Sequence, residues 1–569
     1  MAQVDRPNFV LVLVDDAALM DFGVYGGEAQ TPNIDALAAR GMIFKQHRTT
    51  PSCSPSRAML LTGMDNHLAG FGSIEEVLPP EHRNQPGYMM ALEPGVETIA
   101  TKLKRAGYRT YMTGKWHLGH GDGDLPNDHG FDRSFVLDAS GADHWEEKPY
   151  LPYYKEALWF EDGERARLPE DFYSSTFIAG KMEDYLRQDA DRSEPFFAYV
   201  AFLAVHIPVQ APREYTEKYI DTYAEGWDAI REKRWQRAQY LGLVREGAPL
   251  ADLSETISDW GSLSEDEQRL AAKSLAVNAG ALEAMDAELG HLIEALKSSG
   301  DYDNTVFIVT SDNGPEAGDA WGTAGQVWFD LHGYEREYDT LGERRSWVAI
   351  GPGGAAAAAG PNHLFKFHAG DGGLRVPLIV SGPSLPQSQT MTAFTTMADI
   401  APTILELAGI SETLPGDTKP MTGKSLSPLI EGDVDYVYGP DEPVGFTTSG
   451  QIALYRGRYK LARNVPPHGD SVWRLFDLVE DPGETSDLSD QLPDLKAAMM
   501  LDYEAYADRV GVLPLPEGYD VIEQIGANIA QKVWLHYWPW IVAVGLTILG
   551  LFIAMIWGVW RFLIRGLFT

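Results

Sequence analysis

The only cysteine of the chain lies in a run whose residue types could supply a nucleophile. Cys53 is the one cysteine in 569 residues, within Pro51-Ser-Cys-Ser-Pro-Ser-Arg57. One cysteine cannot form an intramolecular disulfide. The pattern Cys-x-Pro-x-Arg, followed by Ala-Met-Leu-Leu-Thr-Gly, predicts a processed nucleophile at the start of a helix. A buried structural thiol is the alternative, because free cysteine is a common core residue.

Carboxylates follow two largely apolar runs of the chain, 7–14 and 304–311. Each run predicts a strand buried on both faces of an α/β sheet, with its carboxyl end at the edge where ligands bind. The polar residues that follow are Asp15, Asp16, Asp312 and Asn313. This all-oxygen set suits calcium or magnesium rather than zinc. A single aspartate there could be a helix cap or a turn residue, but capping does not explain the whole set.

Basic residues and histidines lie near three further extended segments. Lys115 and His117 are two residues apart, so on an extended chain both project to one side and could face one oxyanion. The others are His206, after the apolar run 195–205, and Lys366, before a glycine turn that leads into 376–380. Taken singly, the first pair could lie on a surface loop, and His206 could be a hydrogen-bonded structural histidine.

Taken together and in this order, the segments resemble the type I, formylglycine-dependent sulfatases. The closest resemblance is to bacterial arylsulfatases of the alkaline phosphatase superfamily, and it covers about residues 7–515. It implies that Cys53 is oxidised to formylglycine by a maturation enzyme that reads Cys53, Pro55 and Arg57. Two departures are small. Asp371 stands where the family often has glutamate, and Ser56 occupies a variable position.

The resemblance also implies a role for each polar residue. The ligands of one calcium ion per subunit are then Asp15, Asp16, Asp312, Asn313 and the modified Cys53. Arg57 braces the formylglycine, and Lys115 and Lys366 bind the sulfate group. His117 is the base that releases sulfate from the covalent intermediate. His206 is a general acid for the leaving oxygen, a role it shares with Lys366.

The implied function is hydrolysis of a small-molecule sulfate monoester. A hydroxyl of the formylglycine hydrate attacks sulfur, and a covalent sulfo-enzyme intermediate divides the displacement into two steps. The same residues would serve a phosphonate monoester or phosphodiester hydrolase, which is the alternative enzyme. A third hypothesis is a non-catalytic anion-binding membrane protein in which Cys53 remains a thiol.

The elements that must position these residues predict an α/β fold. We expect an alkaline phosphatase-like large mixed sheet flanked by helices in 1–420, and a smaller domain with an antiparallel sheet and a helix in 421–515. The predicted elements within them are helices in 219–239 and 265–297, a mobile loop at 351–361, and a lid or packed surface loop at 144–160. Acidic residues outnumber basic ones by 82 to 46, a net charge of −36, which argues against nucleic acid as a partner.

The last part of the chain departs from the soluble family pattern. After a linker at 516–532, the segment 533–560 contains no Asp, Glu, Lys or Arg. Tryptophans near both of its ends resemble the aromatic belts of a transmembrane helix, with 561–569 as a short tail. The alternative is an apolar helix that docks into an oligomer. Because 1–6 offers no signal peptide, we expect a cytoplasmic catalytic domain on this anchor; a periplasmic one is the alternative.

Overall fold

The computed structural model describes residues 6–121, 123–254, 257–322, 325–411, 419–467 and 469–567. Within these ranges the strands are β1 (Asn8–Val14), β2 (Gly41–Phe44), β3 (His47–Arg48), β4 (Arg109–Lys115), β5 (Arg133–Leu137), β6 (Trp159–Glu161), β7 (Glu164–Ala166), β8 (Phe196–Ala201), β9 (Thr305–Ser311), β10 (Leu378–Ser381), β11 (Gln389–Met391), β12 (Thr395–Thr396), β13 (Pro443–Thr448), β14 (Gln451–Arg456), β15 (Tyr459–Arg463) and β16 (Arg474–Asp477).

The α-helices of the same ranges alternate with the strands through the first two thirds of the chain. They are α1 (Pro32–Ala39), α2 (Cys53–Thr62), α3 (Asn66–Ala69), α4 (Ile99–Arg105), α5 (Ser174–Gln188), α6 (Arg213–Thr216), α7 (Trp227–Tyr240), α8 (Glu265–Ser299), α9 (Gln326–Leu331), α10 (Gly351–Ala359), α11 (Asp371–Leu374), α12 (Ile400–Leu407), α13 (Ser427–Glu431), α14 (Pro493–Val510) and α15 (Val521–Leu567).

Ten strands form one mixed sheet in the order β11-β2-β10-β9-β1-β8-β4-β5-β6-β7. The five central strands, from β9 to β5, run parallel, whereas β10 and β6 join them antiparallel on either side. The predicted large mixed α/β sheet is confirmed. Because parallel strands end at the same edge, the residues after β1, β4, β8 and β9 meet there.

Alternate residues of the central strands enter two separate hydrophobic cores. Val10 and Val12 of β1 face the first core, whereas Phe9 and Leu11 face the second. All of β1 is therefore buried, and the near-continuous apolar run of its sequence follows from burial on both faces. The sheet lies between two helical layers, as the sequence predicted.

The long charged segment between β8 and β9 is only partly as predicted. The segment 265–297 lies within α8, whose first turn is closed by a capping box between Ser264 and Glu267. The predicted helix at 219–239 is wrong at its start. Short 3-10 turns occupy 217–219 and 221–223, and α7 begins only at Trp227, after Gly226 with a φ of 86°.

The prediction of a mobile loop at 351–361 is wrong. Residues 351–359 form α10, and its alanines are buried. Alanine has the highest helix propensity, and its small side chain lets α10 pack closely on α7. Gly353 lies against the ring of Trp227, since a Cβ atom there would come within 2.6 Å of the ring.

The smaller C-terminal unit contains a four-stranded antiparallel sheet, in the order β13-β14-β15-β16, and α14. This confirms the predicted antiparallel sheet of the C-terminal region. A buried ion-pair network joins the unit to α11 and to β3, which pairs with β12 in a separate two-stranded sheet. The Asp371 carboxylate lies 2.7 Å from Arg48 and 2.9 Å from Lys460, which stands on β15.

The final helix is longer than the sequence indicated. It begins at Val521, so most of the predicted linker 516–532 is helical and packed on the catalytic domain. The stretch Val542–Arg561 has a mean hydropathy of 2.4, and none of its most apolar part is buried. This part of α15 is long and apolar enough to cross a membrane.

Candidate active site

Strand ends at one edge of the sheet supply the polar residues of the site. Asp15 and Asp16 follow β1, and Asp312 and Asn313 follow β9. Asp16 has a φ of 65°, a left-handed conformation that aspartate tolerates better than most residues. Its backbone N–H donates to Asp312 Oδ1 at 3.1 Å, which ties the two strand ends together. Lys115 is the last residue of β4.

Cys53 is the first residue of α2 and faces the aspartates. Its buried thiol donates to Asp16 Oδ1 at 3.8 Å. Burial raises the pKa of this thiol well above its ordinary value, so a thiol here stays protonated at neutral pH. Ser56, on the next turn, is hydrogen-bonded to the hydroxyls of Thr49 and Thr50 at 2.7 and 2.6 Å. That network fixes the start of α2 against the chain that precedes it.

Three carboxylates and the cysteine converge on one small volume. One atom each of Asp15, Asp16, Cys53 and Asp312 lies within 4.8 Å of the others. Asn313 donates its side-chain amide to Asp16 at 2.7 Å, and its Oδ1 is buried without a hydrogen-bond partner. Burial, together with neighbouring carboxylates, raises the pKa values of Asp16 and Asp312. Clustered buried carboxylates and an unpaired amide oxygen fit a hard divalent cation.

Each of these aspartates also contacts a buried cation. Lys115 Nζ lies 2.6 Å from Asp15 Oδ2. Lys366 Nζ lies 2.8 Å from Asp16 Oδ1. The Arg57 guanidinium lies 2.9 Å from Asp312 and 3.4 Å from Asp15, and donates to the Lys115 carbonyl oxygen at 2.8 Å. Arg57 therefore braces both strand ends from one helical turn beyond Cys53.

One member of this cluster, Glu316, was not predicted from the sequence. Its carboxylate lies 3.0 Å from Lys366 Nζ, in a largely buried position. With it, four carboxylates face three cations. The net charge of the cluster is then −1, and a divalent ion would change it to +1. A net charge of +1 is complementary to a substrate that carries one negative charge. Nothing in the sequence separates Glu316 from other acids, because its role depends on how the chain turns after Asn313.

Both predicted histidines lie in the same buried site. His117 has a φ of 55° and an Nδ1 without a partner. Burial, and then Lys115, lowers the pKa of His117 and of His206, so both rings are neutral and able to accept a proton. Nδ1 of His206 lies 2.7 Å from the Ile207 carbonyl oxygen, which can only accept a hydrogen bond. In the neutral ring Nδ1 therefore carries the proton, and Nε2 of His206 is unprotonated. That Nε2 lies 3.9 Å from Asp16.

This arrangement can be compared with known proteins. Residues 7–410 match the sulfatase family, and residues 366–505 match the C-terminal region of N-sulphoglucosamine sulphohydrolase. The chain belongs to the sulfatase family. An uncharacterized sulfatase of Schizosaccharomyces pombe is 34% identical to it, over 92% of this chain and 97% of that protein. An arylsulfatase of Klebsiella aerogenes is 35% identical, over 75% of this chain and 93% of the other.

Solved structures agree on the fold of this sulfatase. Ps i-CgsB, in complex with k-i-k-neocarrahexaose, superposes with a TM-score of 0.63 at 21% identity, covering 93% of this chain and 97% of the other. A protein in complex with its substrate D-glucosamine-2-N,6-O-disulfate gives 0.56 at 20% identity, covering 89% and 98%. The family and its arylsulfatase members make this protein a sulfatase enzyme with a sulfatase α/β fold.

The sulfatase fold brings the residues chosen from the sequence into one buried cluster. They are Asp15, Asp16, Cys53, Arg57, Lys115, His117, His206, Asp312, Asn313 and Lys366. The aromatic segment 144–160 is a packed wall of the sulfatase rather than a detached lid. Tyr150 is buried, and its ring meets His206 edge-on with 5.2 Å between the ring centres.

Proposed function

We propose that this sulfatase hydrolyses sulfate monoesters with a formylglycine made from Cys53 and a calcium ion held by Asp15, Asp16, Asp312 and Asn313. The contact of Cys53 Sγ with the Asp16 carboxylate carries the proposal, because it places the modifiable side chain directly on the cluster of oxygen ligands. A formylglycine hydrate supplies a hydroxyl nucleophile where the protonated thiol cannot act as a thiolate.

Calcium fits the donor set better than a softer metal. The carboxylates and the unpaired Asn313 Oδ1 are hard oxygen ligands, and the described residues of the cluster include no second sulfur. When bound, the ion supplies positive charge that stabilises oxygens becoming more negative in the transition state. Because Lys115 and Lys366 are held by Asp15 and Asp16, the same carboxylates that hold the ion also orient the lysines.

Lys115 and Lys366 are the proposed sulfate-binding groups. Burial opposes the charge of Lys366, but Asp16 outweighs it and raises the lysine pKa, so the ammonium remains charged. His117 is neutral, and its unpaired Nδ1 accepts the proton whose removal releases sulfate. His206 and Lys366 both contact Asp16, and we assign them jointly to the leaving oxygen. At rest Lys366 carries the proton of this pair.

A phosphonate monoester or phosphodiester hydrolase is the alternative. Both of those substrates carry one negative charge, as a sulfate monoester does, so the charge balance of the site does not separate them. The sulfatase family match favours sulfate. The test compares turnover of matched sulfate and phosphate esters by the wild type and by Cys53→Ala. We expect a preference for sulfate and loss of most activity in the variant; equal activity of both proteins contradicts the covalent mechanism.

The modification is tested directly by the mass of the tryptic peptide 49–57 from protein made in its native host. We expect a peptide in which an aldehyde replaces the CH2SH group of Cys53. An unmodified thiol in fully active protein excludes the formylglycine nucleophile. Cys53→Ala protein supplies the reference digest, since its peptide carries no group that the maturation enzyme can oxidise.

The calcium site is tested by chelation. Removing the ion should abolish turnover and also lower the unfolding temperature, because the clustered carboxylates lose the charge that holds them together. Both changes should reverse with calcium and respond less to zinc. Unchanged unfolding and activity after exhaustive chelation would exclude a metal at this cluster.

We also propose that α15 anchors the sulfatase in a membrane. The side chains described in Val542–Arg561 are exposed, and Trp540 and Trp560 lie at its two ends, as aromatic belts do. A soluble monomer would leave this apolar surface in water, at a cost of about 25 cal/mol per Å². Insertion in a bilayer removes that cost without needing a second protein.

A further inference from the structure

The first turns of α15 are packed against the catalytic domain rather than free of it. Asn528 is buried, and its side-chain amide donates to the carbonyl oxygens of Glu76 and Leu78, each at 3.0 Å. The Tyr519 hydroxyl, just before the helix, donates to the same turn at 2.8 Å. Arg83 donates to the Asn528 side chain at 2.8 Å. These contacts fix where the helix leaves the catalytic domain.

The turn that receives α15 also supports the wall beside His206. Glu76 Oε1 accepts hydrogen bonds from Ser140 and Tyr154, each at 2.6 Å. The Tyr150 hydroxyl bonds to Ser140 Oγ at 2.7 Å, and the Tyr150 ring packs on His206. A continuous set of contacts therefore joins α15 to the histidine assigned to the leaving oxygen.

Partly exposed side chains lie on this same side of the catalytic domain. His120 and Glu75 are 37% and 28% exposed and lie 3.7 Å apart. His120 follows the buried His117 by three residues. Lys532 of α15 lies 3.8 Å from Glu75 and 4.7 Å from the centre of the Tyr153 ring. The exposed rim next to His117 is thus formed in part by α15.

A second apolar contact joins α15 to the sulfate-binding side. The Lys366 ammonium lies 5.3 Å from the centre of the Phe367 ring. Phe367 packs in one apolar cluster with Val521 and Ile525, in the first turns of α15. The first turns of α15 therefore pack both on the neighbour of Lys366 and on the turn that supports the wall beside His206.

The rim also lies close to the apolar part of the helix. Val542, where the apolar span begins, follows Lys532 by ten positions, so the rim is ~15 Å along the helix from the hydrocarbon layer. The polar layer of the bilayer, about 5–8 Å thick, fills part of that distance. The remaining distance, from the surface of this layer to the rim, is about the length of one extended polar group on an amphiphile.

From this geometry we infer that the substrate is a sulfate ester carried on the polar headgroup of a membrane amphiphile. The leaving alcohol then extends past Tyr150 and His206 toward the foot of α15, while its apolar part stays in the bilayer. This inference rests on the proposed sulfatase function and on the membrane anchor. It makes α15 both the anchor and the element that sets the height and orientation of the site above the membrane.

The test uses full-length protein with verified formylglycine, reconstituted in phosphatidylcholine vesicles. Hexadecyl tri(ethylene glycol) sulfate in the vesicles is compared with butyl tri(ethylene glycol) sulfate in solution, since both present the same ester. We expect the membrane-held ester to react with at least a tenfold higher kcat/KM, and its rate to fall about tenfold when plain lipid dilutes it tenfold at constant bulk concentration. Turnover of 4-nitrophenyl sulfate should not respond to the dilution.

Equal kcat/KM for the two ether sulfates, or no response to surface dilution, overturns the inference while 4-nitrophenyl sulfate turnover upholds the proposed function. Loss of turnover on all three esters contradicts the proposed function itself. Asn528→Leu, which breaks the contact with the turn at 75–78, should reduce the preference for the hexadecyl ester at least threefold. The matched control is Ile522→Ala, on the exposed face of the same helix, which should keep the preference.

Discussion

At the scale of single residues, the site is an assembly of buried charges that hold one another in place. Lys115 is paired with Asp15, Lys366 with Asp16 and Arg57 with Asp312, all out of contact with water. Removing one partner leaves a buried unpaired charge, which costs about 3–5 kcal/mol. Variants of these residues therefore change folding as well as catalysis. A neutral residue at the rim of the cluster is a cleaner probe.

His206 is such a residue, since its ring is neutral in the free site. We predict that His206→Gln lowers kcat/KM by about 10²–10⁴-fold for esters of poorly acidic alcohols. Esters of acidic phenols should lose much less, because their oxygen leaves without a proton. The measurement is the dependence of kcat/KM on leaving-group acidity across a series of sulfate esters.

The control is the unfolding temperature, which should change little, because glutamine keeps an N–H donor for the Ile207 carbonyl oxygen and the neutral His206 ring lies 3.9 Å from Asp16. A uniform loss across the whole series would assign His206 to binding or positioning and not to proton transfer.

How far single residues were predictable depended on whether a side chain follows a recognisable segment. Asp15, Lys115 and His206 each follow an apolar or extended run, and the parallel order of the strands brings them together. Glu316 and Tyr150 carry no such signal. They reach the site through turns and loop packing, which depend on contacts between distant parts of the chain rather than on local pattern.

At the scale of elements, close contacts between strands decide where the site residues stand. Gly114, one residue before Lys115 in β4, has a φ of 102°, and a Cβ atom there would lie 1.8 Å from the Ala201 carbonyl oxygen of β8. We predict that Gly114→Ala lowers the unfolding temperature and removes most activity, because backbone must shift where Lys115 is held.

The control is Gly180→Ala in α5, where, among the described residues, no atom apart from the adjacent chain of the helix itself lies within 4 Å of the added Cβ. That change should raise stability by about 0.5–1 kcal/mol and keep activity. Thermal unfolding and turnover of both variants are measured together. If Gly114→Ala kept both its unfolding temperature and its turnover, the close packing of β4 on β8 would be contradicted.

The junction of the C-terminal unit with α11 and β3 predicts a pH dependence. Burial raises the pKa of Glu484 from 4.5 to about 7, although Lys460 opposes the shift. Arg48 and Lys460 overcome the effect of burial on Asp371 and hold its pKa well below the usual range. A carboxyl group with a raised pKa stabilises the fold below 4.5, and this contribution is lost as the pH rises through about 7.

Glu484→Gln should therefore show a smaller fall in unfolding temperature than the wild type between about pH 5 and about pH 8. Thermal unfolding in detergent across this range is the measurement. Glu480→Gln, an exposed residue of the same loop, should follow the wild type. Parallel curves for Glu484→Gln and the wild type would show that Glu484 does not titrate in this window.

Elements were predictable where their sequence pattern and their burial agree. The run at 7–14 is apolar because both faces of β1 are covered, so its composition alone indicates that it is buried. The glycines and alanines at 351–361 resemble a flexible linker, yet tertiary packing on α7 makes them a helix. Where the stabilising contacts come from elsewhere in the chain, local composition favours the wrong structure.

At the scale of the whole molecule, two different surfaces meet at α15. The catalytic domain belongs to a chain with a net charge of −36, which gives it no general electrostatic attraction to anionic lipid headgroups. The helix carries an uncharged apolar span that is not buried against the rest of the protein. Charge therefore does not attract this sulfatase to a bilayer, and any stable attachment depends on α15.

We predict that full-length protein is recovered with membranes, resists washing with high salt, and is released only by detergent. The double variant Leu549→Arg with Ile553→Arg, in the apolar span, should move to the soluble fraction, since each charge at the helix centre costs about 2.5–3.5 kcal/mol. Ile522→Arg, at an equally exposed position before the span, should leave the protein on the membrane. Wild-type protein that is soluble without detergent as a larger assembly would instead place the apolar face between subunits, and the membrane anchor would be wrong.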